Sequence, residues 1–335
     1  MNGLNDMIIK WGIVGLGNMA NAFAKAISET TNSKLICVAS KSKPKLELFA
    51  KNFDIATSNR FSNYSELIRS KEIDAVYIST LNNTHVELLL ECVKNDKKIL
   101  CEKPIAVSLD QANLAYNALE QKKDSFYEAI AYRYHPQIES LLKIIKEGEI
   151  GEIKKIDSSF GFKIKRIRKD SRLFSKELGG GAILDVGCYP ISFFNLFNEQ
   201  NKCMKLIKSK GSFSITDVDD EAEAEFLIGN NITANCKVSF KENLKNSCTI
   251  YGSKGIINIP SPWLPSTKSY LEVSSNNNSY YKDFTLSKKN IYTSQIENVS
   301  NLFLDNKIKK TYQVDIDESV EIMNILDKWK ESFSK

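Results

Sequence analysis

Apolar positions in the first 125 residues fall in short Ile- and Val-rich runs separated by helical stretches. Ile8 to Val14 is the first run, and a helix is predicted from Asn18 to about Glu29. Lys34 to Ala39 predicts the next strand and Pro44 to Asn52 a helix. Ile73 to Ser79 is a third strand, followed by a helix from His85 to Asn95. Lys98 to Cys101 is a fourth strand, with a helix over Leu109 to Lys122. Such alternation predicts a parallel sheet covered on both faces.

The pattern changes near Ser125. A strand at Phe126 to Ile130 leads into a helix over Pro136 to Glu147, and strands then dominate: Ile153 to Phe162, Lys205 to Phe213, Ala222 to Ile228, Ile232 to Phe240, Ser247 to Tyr251 and Gly255 to Ile259. Short turns such as Gly229-Asn230-Asn231 favour antiparallel pairing. Helices over Ile291 to Leu304 and Ser319 to Ser332 close the chain. The expected fold is therefore α/β. Residues 1–125 form an N-terminal Rossmann dinucleotide-binding domain. Residues 126–335 form a C-terminal α+β domain with a large open, mainly antiparallel sheet.

A length of 335 residues suits about two domains, and 42% hydrophobic with 26% charged residues suits a globular chain. The net charge of +5 is spread along the chain and makes no case for nucleic acid or an acidic membrane. His85 and His135 are the only two histidines, too few for most zinc-hydrolase or His-triad schemes, and no metal site is expected. The seven cysteines form no CxxC pair and read as reduced thiols of a cytoplasmic protein. The polar start lacks an apolar targeting segment, and no apolar run approaches the ~20 residues of a membrane span.

The first strand runs into Gly15-Leu16-Gly17-Asn18-Met19-Ala20, a G-x-G-x-x-A turn between strand and helix. The first glycine permits the tight turn, the second lets a pyrophosphate approach the backbone, and Ala20 lets helix and strand pack. The phosphate would lie on the helix N-terminus. NAD sites carry an acid at the end of the second strand, but here Ala39 is followed by Ser40-Lys41-Ser42-Lys43. Hydroxyls and cations suit a 2′-phosphate, so NADP(H) is favoured over NAD(H).

Strand four ends in Cys101-Glu102-Lys103-Pro104. Ligands bind at the carboxyl ends of such strands, which puts Lys103 at the edge of the cofactor cleft, and a cis bond before Pro104 is plausible there. In the second half, Gly179-Gly180-Gly181 precedes a predicted helix on which Asp185 and Tyr189, four apart, share a face. An acid and a phenol so placed can bind or protonate a hydroxylated substrate. The spacing equally allows a helix-terminal acid and a core tyrosine.

Together these residues resemble the Gfo/Idh/MocA oxidoreductase family. The resemblance rests on Gly15 to Ala20, Glu102-Lys103-Pro104, the glycine-rich stretch 179–187, and Glu128-Ala129-Ile130-Ala131-Tyr132-Arg133-Tyr134-His135-Pro136-Gln137. The last segment is similar to the branch of aldose dehydrogenases, glucose–fructose oxidoreductase and dimeric dihydrodiol dehydrogenase. Most of the wider family has His where this chain has Tyr189, and often Pro where it has Leu81.

The resemblance implies hydride transfer between a nicotinamide and a hydroxyl or carbonyl carbon of a sugar, polyol or cyclic diol. It implies Lys103, Tyr189 and Asp185 as catalytic residues. Gly15, Leu16, Gly17, Asn18, Met19, Ser40, Lys41, Ser79, Thr80, Asn82, His85, Glu102, Lys103 and Arg133 would line the cofactor. His85 alone equally suits a structural helix start. Two alternatives stand beside this: a nucleotide-sugar ketoreductase, using the basic residues Lys163, Lys165, Arg166, Arg168, Lys169 and Arg172, and a non-catalytic NADP-binding regulator. A homodimer or homotetramer through the C-terminal sheet is also implied.

Overall fold

A computed structural model describes residues 7–198, 204–275, 278–286, 290–305 and 312–333. The first half carries β1 (Ile9–Val14), α1 (Asn18–Ile27), β2 (Ser33–Ala39), α2 (Lys43–Asn52), β3 (Arg60–Phe61), α3 (Tyr64–Arg69), β4 (Ala75–Ile78), α4 (His85–Lys94), β5 (Lys98–Glu102), α5 (Leu109–Leu119) and β6 (Phe126–Ala129). Then come α6 (Pro136–Lys146), β7 (Ile153–Gly161), α7 (Cys188–Asn195), β8 (Lys205–Phe213), β9 (Asp219–Ile228) and β10 (Ile232–Ser239). The chain continues through β11 (Ser247–Gly252), β12 (Gly255–Ile259), β13 (Lys268–Ser275), β14 (Ser279–Thr285), α8 (Ile291–Leu304) and α9 (Ile316–Glu331).

One compact unit comprises residues 1–134 with 288–320. Its sheet has the order β3-β2-β1-β4-β5-β6, parallel throughout. This is the doubly wound order whose direction reverses between β1 and β4, where ligands bind at the strand ends. Helix α1 buries Ala20, Phe23, Ala24 and Ile27 against the sheet. Helix α8 returns to this unit: Trp11 of β1 donates its indole N–H to Ser300 at 3.1 Å and lies 5.9 Å from the Phe303 ring.

Residues 135–287 with 321–335 form the second unit. Its sheet has the order β14-β13-β12-β11-β7-β10-β9-β8, with β7 and β10 parallel and the other pairs antiparallel. Strand β9 alternates, with Ala222, Ala224, Phe226 and Ile228 buried. Phe226 meets Trp329 of α9 at 5.7 Å and Phe194 of α7 at 6.2 Å. The other face carries cross-strand ion pairs, Lys210–Glu223 at 2.9 Å and Lys208–Glu225 at 3.1 Å.

The expected architecture is present, but the division at residue 125 differs from these units. Strand β6 pairs with β5 and belongs to the first sheet, and α8 packs on β1, because Trp11 and Phe303 bury apolar area there. Four elements escaped the periodicity reading: β3, α3, β13 and β14. The first pair are two and six residues long, and the last two are rich in Ser, Lys and Tyr.

Candidate active site

At the end of β1, Gly15 has φ +87°. A Cβ there would lie 2.7 Å from Thr80 Cγ2 and 2.8 Å from the Ser79 carbonyl oxygen, so only glycine fits. Ser79 donates its hydroxyl to the Gly15 carbonyl at 2.8 Å, tying the ends of β1 and β4. Gly17 is the N-cap of α1 and receives no side-chain cap bond, and the first turn holds no acid. Its missing Cβ would face open space. An uncapped N-terminus approached by bare backbone fits a pyrophosphate. Leu16 is buried, Met19 half-buried and Asn18 exposed.

Beyond β2, Ser40 is buried and its hydroxyl accepts the Ser42 N–H at 3.1 Å. Lys41 is exposed, its ammonium 5.3 Å from the Tyr64 ring centroid. The first acid downstream, Glu47, is ion-paired with Arg60 at 2.8 Å. The β2 end therefore presents hydroxyls and cations.

At the ends of β4 and β5, Thr80 is half-buried and accepts the Thr84 hydroxyl at 2.7 Å, while Asn82 is buried. Glu102 is buried and accepts the Tyr77 hydroxyl. Burial, and after it the Glu102 charge, push Tyr77 well above its ordinary range. The Lys103–Pro104 bond is cis. Tyr292 of α8 feels the charges of both Glu102 and Lys103, and burial raises its pKa.

His85 and Arg133, both expected to line the cofactor, are buried and have partners inside the protein. His85 is fully buried, and its Nδ1 lies 2.9 Å from the Pro104 carbonyl oxygen. Burial lowers its pKa, and because a carbonyl oxygen only accepts, Nδ1 carries the hydrogen of this bond. Arg133 is 2% exposed. Its guanidinium pairs with Glu318 and donates to the Tyr312 carbonyl at 3.4 Å. Both side chains work inside the protein because their polar atoms find buried partners there.

In the second unit, the glycine cluster turns over a carboxylate. Gly181 has φ +122°, and a Cβ there would lie 2.2 Å from Asp219 Oδ1. The other oxygen of Asp219 accepts the Ile183 N–H at 2.6 Å. Burial raises the Asp219 pKa, and that N–H opposes the rise. Residues Ile183–Gly187 form a π-helical turn running directly into α7. Such turns recur at functional sites. Asp185 projects from it and accepts Arg172 Nη1 at 2.9 Å. Tyr189 follows in α7, half-buried, its ring edge-on to Phe160 at 5.3 Å.

The sequence reading missed Asp219, Glu128, Tyr77 and Tyr292. Asp219 lies 36 residues from the N–H it holds, with no local signal linking the two. Glu128 stood inside a quoted motif but without a role. The six described cysteines are buried thiols whose pKa values burial raises where resolved, which makes them poor nucleophiles. Cys203 lies outside the described residues. Among the described residues no group of three His, Cys, Asp or Glu could hold a metal, and no helix is long and apolar enough to cross a membrane.

Residues 9–129 match a family described as oxidoreductase family, NAD-binding Rossmann fold, and residues 138–258 match the GFO/IDH/MocA C-terminal domain. Trans-1,2-dihydrobenzene-1,2-diol dehydrogenase of Xenopus tropicalis is 31% identical over 265 residues, 78% of each chain. A 3-ketoreductase from Actinomadura kijaniata, solved with NADP and TDP-benzene, superposes with a TM-score of 0.86 at 19% identity, over 97% of this chain and 98% of its own. An aldose-aldose oxidoreductase from Caulobacter crescentus, complexed with glycerol, gives a TM-score of 0.85 at 19% identity over 97% of both chains.

Proposed function

Because the chain belongs to the Gfo/Idh/MocA family of NAD(P)-binding oxidoreductases, we propose that it interconverts a hydroxyl and a carbonyl on a six-membered ring carrying vicinal trans hydroxyls. That unit is common to the dihydrodiol named for the 31% identical relative and to many aldopyranoses. The observation that carries the reading is the Gly15–Gly17 turn, uncapped, at the reversal point of the 3-2-1-4-5-6 sheet. A nicotinamide, when bound, exchanges a hydride with the ring carbon. NADP(H) is the preferred form, since Ser40 and Lys41 follow β2 where an acid would repel a 2′-phosphate.

The chain's residues then handle orientation and the proton. Tyr189 gives its phenolic proton to the oxygen during reduction and takes it back during oxidation. A tyrosine ionises near ~10, and a cation within ~4–6 Å lowers that by about 1–3 units. Lys103 of the Glu102-Lys103-Pro104 motif is the cation assigned to this task. Asp185, held by Arg172, orients a ring hydroxyl. A second copy of the chain covers the charged sheet face, giving a homo-oligomer, and the reduced thiols suit the cytoplasm.

A nucleotide-linked sugar is the second reading, favoured by the exposed Lys163, Lys165, Arg166 and Lys169. Arg168 is paired with Asp170 and Arg172 with Asp185, which weakens it. The test is a screen of trans-diols, aldoses and nucleotide sugars with both cofactors, followed by Tyr189→Phe and Lys103→Met. Each variant should lose roughly 10²–10⁴ in kcat with little change in cofactor affinity. Near-normal kcat in both would refute the assignment. Tight NADP(H) binding with no turnover on any substrate would favour a non-catalytic regulator.

A further inference from the structure

Two side chains clamp a single peptide group next to Lys103. The peptide joins Pro104 to Ile105. Its carbonyl accepts His85 Nδ1–H at 2.9 Å, and its N–H donates to Glu128 Oε1 at 3.0 Å. The second Glu128 oxygen accepts the Ser319 hydroxyl at 2.7 Å. The Glu128 backbone N–H donates to the Val314 carbonyl at 2.8 Å. His85 and Ser319 are fully buried and Glu128 is 1% exposed. The turn carrying Lys103 is thus held by side chains from α4 and β6, and the β6 contribution is tied in turn to the segment entering α9.

We infer that Glu128 is a positioning residue for Lys103, holding its turn through the Pro104–Ile105 peptide and supplying a buried negative charge to its ammonium. The inference rests on the proposed role of Lys103. A buried carboxylate is a costly way to accept one N–H, because a neutral acceptor would satisfy the same hydrogen bond. What a carboxylate adds is charge. Lys103 favours ionised Glu128, so by reciprocity ionised Glu128 favours the Lys103 ammonium. Opposing this are burial, the largest effect, and Glu318, itself paired with Arg133. The other ionisable neighbours on β5 are Cys101, which feels the Glu128 charge, and Glu102, which accepts Tyr77. The balance pushes Glu128 up to about 7, so its charge is gained as pH rises through neutrality.

Glu128→Gln keeps the side-chain shape and an oxygen for the Ile105 N–H, and removes the charge. The variant should bind NADPH with unchanged Kd. With trans-cyclohexane-1,2-diol or the best aldose of the screen, its kcat should fall roughly tenfold. The wild-type rise of kcat with pH near neutrality should disappear. Without the charge, acetic anhydride at mildly alkaline pH should acetylate Lys103 severalfold faster, as read by peptide mass spectrometry. Ser319→Ala is the second variant. It removes a hydrogen bond that favours the carboxylate, so the rise should move to higher pH. Unchanged kcat, pH profile and Lys103 acetylation in Glu128→Gln would overturn the inference. So would an unmoved profile in Ser319→Ala. The labelling separates the two failures: if Lys103→Met keeps its kcat, the catalytic reading fails, yet faster acetylation in Glu128→Gln still reports the coupling.

Discussion

Replacing Gly181 with alanine tests whether the carboxylate beneath the glycine cluster shapes the turn that leads to Tyr189. The new Cβ would sit 2.2 Å from Asp219 Oδ1 and 2.9 Å from its Cγ. Asp219 is fully buried and bound to the Ile183 N–H at 2.6 Å, so it cannot swing into water. Holding alanine at φ +122° costs about 1–3 kcal/mol. Displacing the carboxylate leaves the Ile183 N–H without its buried acceptor, a further ~1–3 kcal/mol. Together these make roughly 2–6 kcal/mol, against a usual total of about 5–15. At about 2–4 °C per kcal/mol for a domain of this size, Tm should fall by roughly 4–24 °C. The control is Asp219→Ala, which removes the obstacle and leaves the backbone strain. In that background Gly181→Ala should cost about 1–3 kcal/mol less, read from a double-mutant cycle of urea unfolding. A Gly181→Ala protein melting within about 2 °C of wild type, or equal losses in both backgrounds, would refute the reasoning.

Two further outcomes are expected. NADPH should be preferred over NADPH-free NADH turnover by at least about tenfold in kcat/KM, and Lys41→Glu should reverse much of that preference by repelling the 2′-phosphate. A wild-type preference for NADH would remove the argument from the β2 end. His135 caps α6, accepting the Gln137 N–H at 3.2 Å on Nδ1, and burial pushes it down to about 4. Its folded pKa lies below the unfolded ~6.5, so its contribution is present above pH ~6.5 and lost as pH falls toward 4. His135→Asn keeps an N-cap acceptor and removes this titration, and should spare roughly 1–2 kcal/mol of the stability lost between pH 7 and 5, measured by urea midpoints.

Much of the candidate site was legible because its signals are local. A tight strand-to-helix turn needs glycine at residue 15 for its φ and the bare approach at residue 17, and both lie within one short segment. The missing acid after Ala39 is equally local. Helix α8 matched its expected bounds because its apolar spacing is regular, but its destination did not follow from that spacing. His85 and Arg133 show the limit from the other side. A motif identified both, yet it could not say that one faces the Pro104 carbonyl and the other Glu318.

Sequence alone determined the alternating architecture and the glycine turn between the first strand and the first helix. These follow from period, chirality and residue type over short stretches. Tertiary structure decided which distant residues the buried carboxylates meet. Asp219 under Gly181, Glu128 on the Ile105 N–H and α8 against Trp11 join residues far apart in the chain. A buried carboxylate is tolerated only where several distant donors converge on it, and that convergence exists only once the sheets have formed.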